Sequence, residues 1–305
     1  MADKEQALRR GYLLDGYRIE KLIGSGGFSF VYLAFHIRTK LKVVIKEYFP
    51  HEISKRLPGG RVQPISEEKT TTFQIGLKRF FNEGMALSKL KHPNIVNVSN
   101  FFRANDTVFM VMDFEQGRDL RWYIKRSKGK LNEKFILSVF PPVLGGLREL
   151  HVYNFLHLDI KPANILLRTS GTPLLLDFGA VQQIQPGTRY KGVQTLTHGF
   201  ASPEQYESGV MGPWSDLYSL GMTMRFCITG KAPVPSLERL KKDKQSKLAR
   251  SYSRKYSKSL LQAIDWAGEL DYERRPRSVD IFLEALHSEE DNEKETSVLR
   301  GWFGG

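Results

Sequence analysis

Residues 157–166 read HLDIKPANIL and place Asp159, Lys161 and Asn164 between apolar neighbours. An aspartate can accept a proton from a hydroxyl group, a lysine can steady a phosphoryl group during transfer, and an asparagine oxygen can hold a divalent metal ion. Each residue by itself is also typical of a turn or a helix cap. The apolar Leu158 directly precedes the aspartate, so the stretch could be an active loop, an active loop with altered regulation, or an inactive remnant.

A second carboxylate follows thirteen residues after Asn164, where the apolar run LLL at 174–176 ends in Asp177-Phe178-Gly179. A carboxylate at the end of a strand can bridge a magnesium ion to the β- and γ-phosphates of a nucleotide. Chance is a poor explanation for this order and spacing of polar groups. The two stretches together predict a phosphate-handling site.

A glycine-rich stretch near the N-terminus, IGSGGFSFV at 23–31, lies between two predicted strands. Glycine lets the backbone approach phosphates closely and offer its N–H groups to them. A glycine hairpin that merely turns the chain is an equally good interpretation of this stretch alone. The context of strand, loop and strand argues against a dinucleotide-binding turn, which needs a helix after the glycines.

A lysine at the end of a β-branched strand is the next candidate. Lys46 follows Val43, Val44 and Ile45, and Glu83 on a predicted helix could pair with it. An ordinary exposed strand lysine is the alternative interpretation. The long segment between Lys46 and Glu83 weakens the argument from spacing.

The composition is that of a globular protein with an excess of positive charge. The 305 residues contain 46 Lys and Arg against 33 Asp and Glu, which favours an anionic partner. Cys227 is the only cysteine, so a disulfide framework and a cysteine metal site are excluded and a reducing cytoplasm is expected. The first residues lack the apolar core of a signal peptide, and no apolar run approaches the roughly 18 residues of a membrane span.

The pattern along the chain predicts a sheet-rich first third followed by a helix-rich remainder. Predicted strands cover 17–23, 29–36, 41–48, 96–103 and 107–113. Predicted helices cover 73–91, 119–128, 133–153, 203–207, 214–229, 259–269 and 278–287.

These motifs together resemble those of the eukaryotic-like (Hanks-type) serine/threonine protein kinases. HLDIKPAN is similar to their catalytic loop, DFG at 177–179 to their metal-binding motif and Lys46 to their strand-three lysine. Lys161, two residues after the aspartate, is typical of the serine/threonine class. The phrases IKEYFP and FASPEQY resemble bacterial members of the family.

The resemblance covers residues 17–287 and implies an α+β class, the bilobal protein-kinase fold. It implies a small β-rich N-lobe with helix C at about 17–113, a hinge at about 113–117 and a larger, mainly helical C-lobe at about 118–287. Residues 1–16 and 288–305 would then be an N-terminal extension and a C-terminal tail.

The resemblance also implies an enzyme that uses ATP and Mg²⁺, or Mn²⁺ in its place, to phosphorylate Ser and Thr hydroxyls of protein substrates. Asp159 would be the catalytic base, Lys161, Lys46 and Glu83 would assist, and Asn164 and Asp177 would hold the metal ion. The expected ATP contacts are Ile23, Gly24, Ser25, Gly26, Val31, Val44, Lys46, Met112, Asp113, Glu115, Asp119 and Leu166.

Further positions gain expected roles from the same resemblance. An internal apolar column would contain Leu87, Val98, His157 and Phe178. Asp216 would anchor the catalytic loop, Arg275 would pair with Glu204, and Thr197 would contact Asp159 and Lys161.

Leu158 departs from the family, which has an arginine there that pairs with a phosphate on the activation segment. Leucine cannot form that pair, so we predict an active enzyme without this phosphate latch. Thr188 and Thr195 are candidate autophosphorylation sites. A catalytically silent nucleotide-binding scaffold and a small-molecule phosphotransferase remain as alternative functions.

Three segments have more than one interpretation from sequence. The basic stretch 238–258 is most simply a solvated surface, and the alternative is a docking surface for acidic sequences. Nucleic acid is not expected as a partner, since no RNA-binding signature accompanies the tyrosines of this stretch. The segment 51–69 is expected to be a flexible surface loop, or else a contact for helix C. Trp302 and Phe303 in the tail could serve tail docking or self-association.

Overall fold

The structure, a computed structural model, describes residues 4–178, 181–183, 196–206 and 209–287. The chain divides into two compact units, residues 1–116 and 117–305.

The first unit is built on a six-stranded antiparallel sheet with one long helix. The strands lie in the order β1-β2-β3-β4-β8-β7. Their bounds are β1 Leu13–Leu14, β2 Tyr17–Gly26, β3 Ser29–His36, β4 Lys42–Tyr48, β7 Val98–Ala104 and β8 Thr107–Asp113, and the helix is α1 Thr70–Leu87.

Successive side chains of a strand point to opposite sides of the sheet. Side chains of the central strand β4 are buried on both of these sides. On one face Tyr48 packs against Phe73 and Phe80 of α1, with ring centroids 5.5 and 5.7 Å apart. Burial there raises the pKa of Tyr48 to about 12. On the opposite face Glu47 is completely buried.

The segment after β4 folds into a short hairpin of β5 (Ser54–Arg56) and β6 (Val62–Pro64), so the expected flexible loop at 51–69 is wrong. Arg56 extends from this hairpin to Glu47, with 2.7 Å between Nη2 and Oε2. Tyr32 donates to the same Oε2 at 2.7 Å, and Arg56 Nε donates to the Gln6 carbonyl of the N-terminal segment. One buried ion pair therefore fastens the hairpin and the N-terminal segment to the sheet.

The second unit is mainly helical. Its helices are α2 Leu120–Arg126, α3 Glu133–Val152, α4 Pro203–Tyr206, α5 Pro213–Thr229, α6 Ser236–Lys241, α7 Leu248–Ser251, α8 Lys258–Ala267 and α9 Val279–His287. Its short strands are β9 Gly117–Asp119, β10 Phe155–Leu156, β11 Ile165–Arg168, β12 Pro173–Leu175 and β13 Gln182–Gln183. β9, β11 and β12 form one small sheet, and β10 pairs with β13.

Helix α5 lies in the core of this unit. Nearly all of its residues are buried, including the polar Ser215, Asp216 and Thr223, and its end is capped by Gly230 in a left-handed conformation. A helix that is buried all round must satisfy its polar groups internally. The hydrogen bonds that satisfy the Asp216 carboxylate position the loop of the candidate active site.

Helix α3, among the described residues, is long and apolar enough by length and composition to cross a membrane, unlike the expectation that no stretch reaches that length. Its apolar residues Ile136, Phe140, Leu144 and Leu147 have no exposed surface. Burial in the protein core accounts for this composition.

Candidate active site

Asp216 of α5 holds the backbone of the loop that contains HLDIKPANIL. Its two carboxylate oxygens accept hydrogen bonds from the backbone N–H of His157 at 2.9 Å and of Leu158 at 2.8 Å. His151 Nε2 lies 2.9 Å from the same carboxylate. The expectation that Asp216 anchors this loop is confirmed.

Leu158 has a left-handed backbone with φ of +59°, which costs a non-glycine residue of order 1–3 kcal/mol. Polar contacts on both of its peptide groups hold it there, since Asp216 accepts from its N–H and Gln205 Nε2 donates to its carbonyl at 2.9 Å. Its side chain is 4% exposed and clusters with Leu156 and Met211. The position that holds arginine in the family here contributes apolar packing.

The Asp159 carboxylate lies at the centre of a compact network. Lys161 Nζ donates to both oxygens, at 3.0 and 2.7 Å. Thr197 donates to Oδ1 at 2.7 Å and accepts from Lys161 at 2.9 Å, so its expected contacts are confirmed. Asn164 Nδ2 donates to Oδ2 at 3.0 Å and to the Asp159 carbonyl at 2.8 Å. Three donor groups therefore fix the orientation of one partly exposed carboxylate through four hydrogen bonds.

His157 connects this loop to the segment after β12 that contains Asp177. Its Nε2 lies 3.0 Å from the Leu176 carbonyl, and its ring lies 5.2 Å from the buried ring of Phe178. The neighbouring Asp177 has φ of +57° and an exposed side chain. Asp177 is therefore placed between the half-buried Leu176 and the buried Phe178.

Asn164 and Asp177 suit a hard divalent cation. Both amide hydrogens of Asn164 are used by Asp159, so its carbonyl oxygen is the atom that remains for a ligand. Mg²⁺ is usually bound by one or two carboxylates together with substrate phosphates rather than by a full protein cage. Consistent with that, the described residues contain no cluster of three or more His, Cys, Asp or Glu side chains that could hold a metal.

In the first unit, the sheet brings several predicted nucleotide contacts to one face. Val31 is paired with both Gly24 of β2 and Lys46 of β4, and Val44 is paired with Met112 of β8. Paired residues of antiparallel strands share a face, as do residues two apart on one strand. Lys46 is 5% exposed. Ile23 and Ser25 lie on β2 beside these residues.

The tip of the glycine-rich loop is tied to the segment after β4. Phe49 N–H donates to the Phe28 carbonyl at 2.8 Å, and His51 N–H donates to the Gly27 carbonyl at 3.1 Å. Phe30 beneath the tip packs 4.9 Å from Phe49. These two hydrogen bonds continue the pairing of β3 with β4 beyond the ends of the strands. They restrict the motion of the tip of the glycine-rich loop.

The remaining predicted contacts lie within a few residues of position 116, where the chain passes from the first unit to the second. Asp113 N–H donates to the Asn97 carbonyl at 3.1 Å, and Glu115 follows two residues later. Asp119 caps α2 by accepting from Trp122 N–H at 3.0 Å, and it is paired in register with Leu166 of β11.

A buried ion pair between Glu204 and Arg275 connects distant segments of the second unit. The two Arg275 Nη atoms lie 2.7 and 3.0 Å from the Glu204 oxygens, which confirms the predicted pair. Ser215 donates to Glu204 at 2.7 Å, and the guanidinium stacks on Tyr218 at 4.7 Å. This buried pair is fully hydrogen-bonded, as buried charges must be.

Some predicted residues fall outside the described part of the chain. They are Gly179, Thr188, Thr195, Trp302, Phe303 and the side chain of Glu83. Leu87 and Val98 are buried in the first unit, and His157 and Phe178 in the second.

Sequence reasoning missed Gln205 and Glu47 as positioning residues. A signal was present, because Gln205 lies in FASPEQY and Glu47 lies in IKEYFP, the two phrases that distinguish the sequence. Neither phrase indicates by itself which distant group its polar side chain contacts.

A sequence model of the family described as "Protein kinase domain" matches residues 17–288. Among curated proteins, "Serine/threonine-protein kinase D" of Synechocystis sp. is 32% identical over 289 residues, which is 90% of this chain and 52% of that protein. "Serine/threonine-protein kinase PrkC" of Bacillus subtilis is 30% identical over 219 residues, 71% of this chain and 31% of that protein. The chain thus spans about half or less of the length of these relatives.

A solved structure described as "PpkA-294 apo form" is similar to this chain with a TM-score of 0.79 and 31% sequence identity. The similarity covers 92% of this chain and 99% of that one.

Proposed function

The chain belongs to the protein kinase domain family, and from this premise we propose that it is an ATP-dependent serine/threonine protein kinase. Its fold is the family's bilobal α+β fold, with a β-rich small lobe and a mainly helical large lobe. The two relatives described above, from Synechocystis sp. and Bacillus subtilis, are bacterial, in agreement with the two bacterial-like phrases.

The observation that carries the proposal is the network around Asp159. Each of its carboxylate oxygens accepts two hydrogen bonds, from Lys161, Thr197 and Asn164. Since a carboxylate offers about four acceptor positions, a substrate hydroxyl must displace one donor to reach it. Lys161 is the donor best suited to leave, because its flexible amine can turn toward a phosphoryl oxygen as negative charge develops there.

Asp159 then accepts the proton of the attacking hydroxyl while Thr197 and Asn164 keep the carboxylate oriented. Phosphoryl transfer passes through a loose transition state, so positioning and charge neutralisation provide most of the catalysis. Lys46, beside Val31 and the glycine-rich loop, is the proposed contact for the nucleotide phosphates. Asn164 and Asp177 would hold Mg²⁺, or Mn²⁺ in its place, which neutralises phosphate charge when bound.

Transfer of labelled γ-phosphate from ATP to a mixture of Ser- and Thr-containing peptides tests this function. Asp159→Asn should lower kcat by about 10²–10⁴-fold, the usual contribution of a general base, with little change in ATP affinity. Asp177→Asn should abolish the response of the rate to added Mg²⁺. A wild-type protein that binds ATP but transfers no phosphate would instead favour a silent nucleotide-binding scaffold.

A cytoplasmic location and a protein partner are part of the same proposal. Cys227 is completely buried, and burial raises the pKa of its thiol, so it is protected from oxidation rather than placed for a disulfide.

A further inference from the structure

We propose that the large lobe docks an acidic segment of the protein substrate on a basic surface formed by residues 118–134 and 238–258. This inference rests on the proposed kinase function and specifies its substrate class. We call these two segments together the basic surface.

The basic surface holds almost all of the excess charge of the protein. Residues 118–134 contain seven Lys and Arg against two acidic residues, and residues 238–258 contain nine against two. Together they contribute +12 to a chain whose net charge is +13. A charge distributed only for solubility would be spread more evenly over the surface.

The fold brings the two segments together although more than a hundred residues separate them in sequence. Tyr256 donates to the Leu131 carbonyl at 2.8 Å. Ser257 N–H and Oγ donate to the Glu133 carboxylate at 2.8 and 2.5 Å. The two stretches therefore meet on the large lobe at residues 131–133 and 256–257.

The cations of the basic surface are mostly exposed to solvent, whereas most of its acidic groups bind neighbouring side chains. Of its Lys and Arg residues only Arg239 is buried, where it binds Tyr218, the Gly268 carbonyl and Asp243. Glu133 is occupied by Ser257, and Asp119 by Arg121 at 2.6 Å. Every other cation is exposed. Arg121 is paired with Asp119 and Lys247 with Glu269 at 2.5 Å, so these two cations contribute less to the positive surface than the others.

The location favours a protein substrate. Helix α2, which carries part of the basic surface, contacts the turn Pro162–Asn164 of the catalytic loop. An acidic segment bound along the surface would therefore begin close to Asp159. Nucleic acid is less suited, because Tyr256 is buried with its edge against Tyr252, and Arg126 already occupies one face of the exposed Trp122 ring at 5.1 Å.

Two peptides test the proposal. Both contain the same Ser/Thr core, and one continues into a tail of about eight Asp residues while the other has Asn in their place. We expect the acidic tail to lower KM by about tenfold at low salt, with kcat unchanged, because complementary charge acts mainly on encounter and binding. About 0.5 M salt should remove most of the advantage by screening.

Matched variants locate the effect. Each replaces four exposed lysines by glutamine: Lys125, Lys128, Lys130 and Lys134; Lys241, Lys242, Lys244 and Lys255; or, as a control in the first unit, Lys55, Lys69, Lys89 and Lys91. The first two should lose most of the advantage of the acidic tail and keep the rate on the neutral peptide, and the control should keep both.

Equal KM values for the two peptides, or an equal loss in the control variant, would overturn the proposal. Tighter binding of a labelled single-stranded RNA than of the labelled acidic peptide, with loss of both in the surface variants, would also overturn it. If neither peptide is phosphorylated, the kinase function fails, and fluorescence anisotropy with the acidic peptide still decides whether the surface docks it.

Discussion

At the scale of single residues, the catalytic loop is shaped by contacts that the sequence predicts only in part. The resemblance to the kinase family implied the contacts of Asp216, of Thr197 and of the Glu204–Arg275 pair, and these contacts are confirmed. The left-handed backbone of Leu158 was not predictable, because it is maintained by groups more than forty residues away in sequence. Short-range pattern carries no information about such tertiary bonds.

Leu158→Arg should destabilise the protein by about 3–5 kcal/mol, since it would place an uncompensated charge among Leu156 and Met211. Leu158→Met keeps the apolar volume and should cost about 1 kcal/mol or less. Urea unfolding of the three proteins provides the measurement. An arginine variant as stable as the wild type would show that the pocket accepts a charge and that leucine is not needed for packing.

At the scale of elements, the periodicity predicted the main strands and the long helices but not the β5–β6 hairpin or the short helices α6 and α7. Elements of three to six residues have too few positions for a periodic pattern. The hairpin is stabilised instead by Arg56, which reaches the fully buried Glu47 on the central strand. Burial raises the pKa of Glu47 and the Arg56 guanidinium opposes that shift.

Arg56→Met should destabilise the protein by about 3–5 kcal/mol because it leaves Glu47 buried without its ion-pair partner. The double variant with Glu47→Met should be less destabilised than the sum of the single changes, with a coupling of about 2 kcal/mol.

The exposed pair of Arg61 and Asp106, also in contact at 2.5 Å, is a matched control, and its coupling should be below about 1 kcal/mol. Equal couplings in the two pairs would mean that the hairpin is not fastened through Glu47.

At the scale of the whole molecule, the chain combines the residues proposed for phosphoryl transfer with a loop that has Leu158 where the family resemblance expects a phosphate-binding arginine. Asp159 is positioned by Lys161, Thr197 and Asn164, and the loop backbone by Asp216 and Gln205. Because Leu158 cannot form a charge-assisted contact with a phosphate, we predict a kinase that is active as synthesised, with substrate choice influenced by the basic surface.

The most direct test is the kcat/KM of phosphatase-treated enzyme in which Thr188 and Thr195 are both replaced by alanine, with Asp159→Asn as the inactive reference. We expect the Thr188→Ala/Thr195→Ala protein to stay within about threefold of the wild type, because Leu158 cannot form the charge-assisted contact that a phosphate would need. A loss of about a hundredfold would contradict the account, since it would show that a phosphate on this segment assembles the active site by another route.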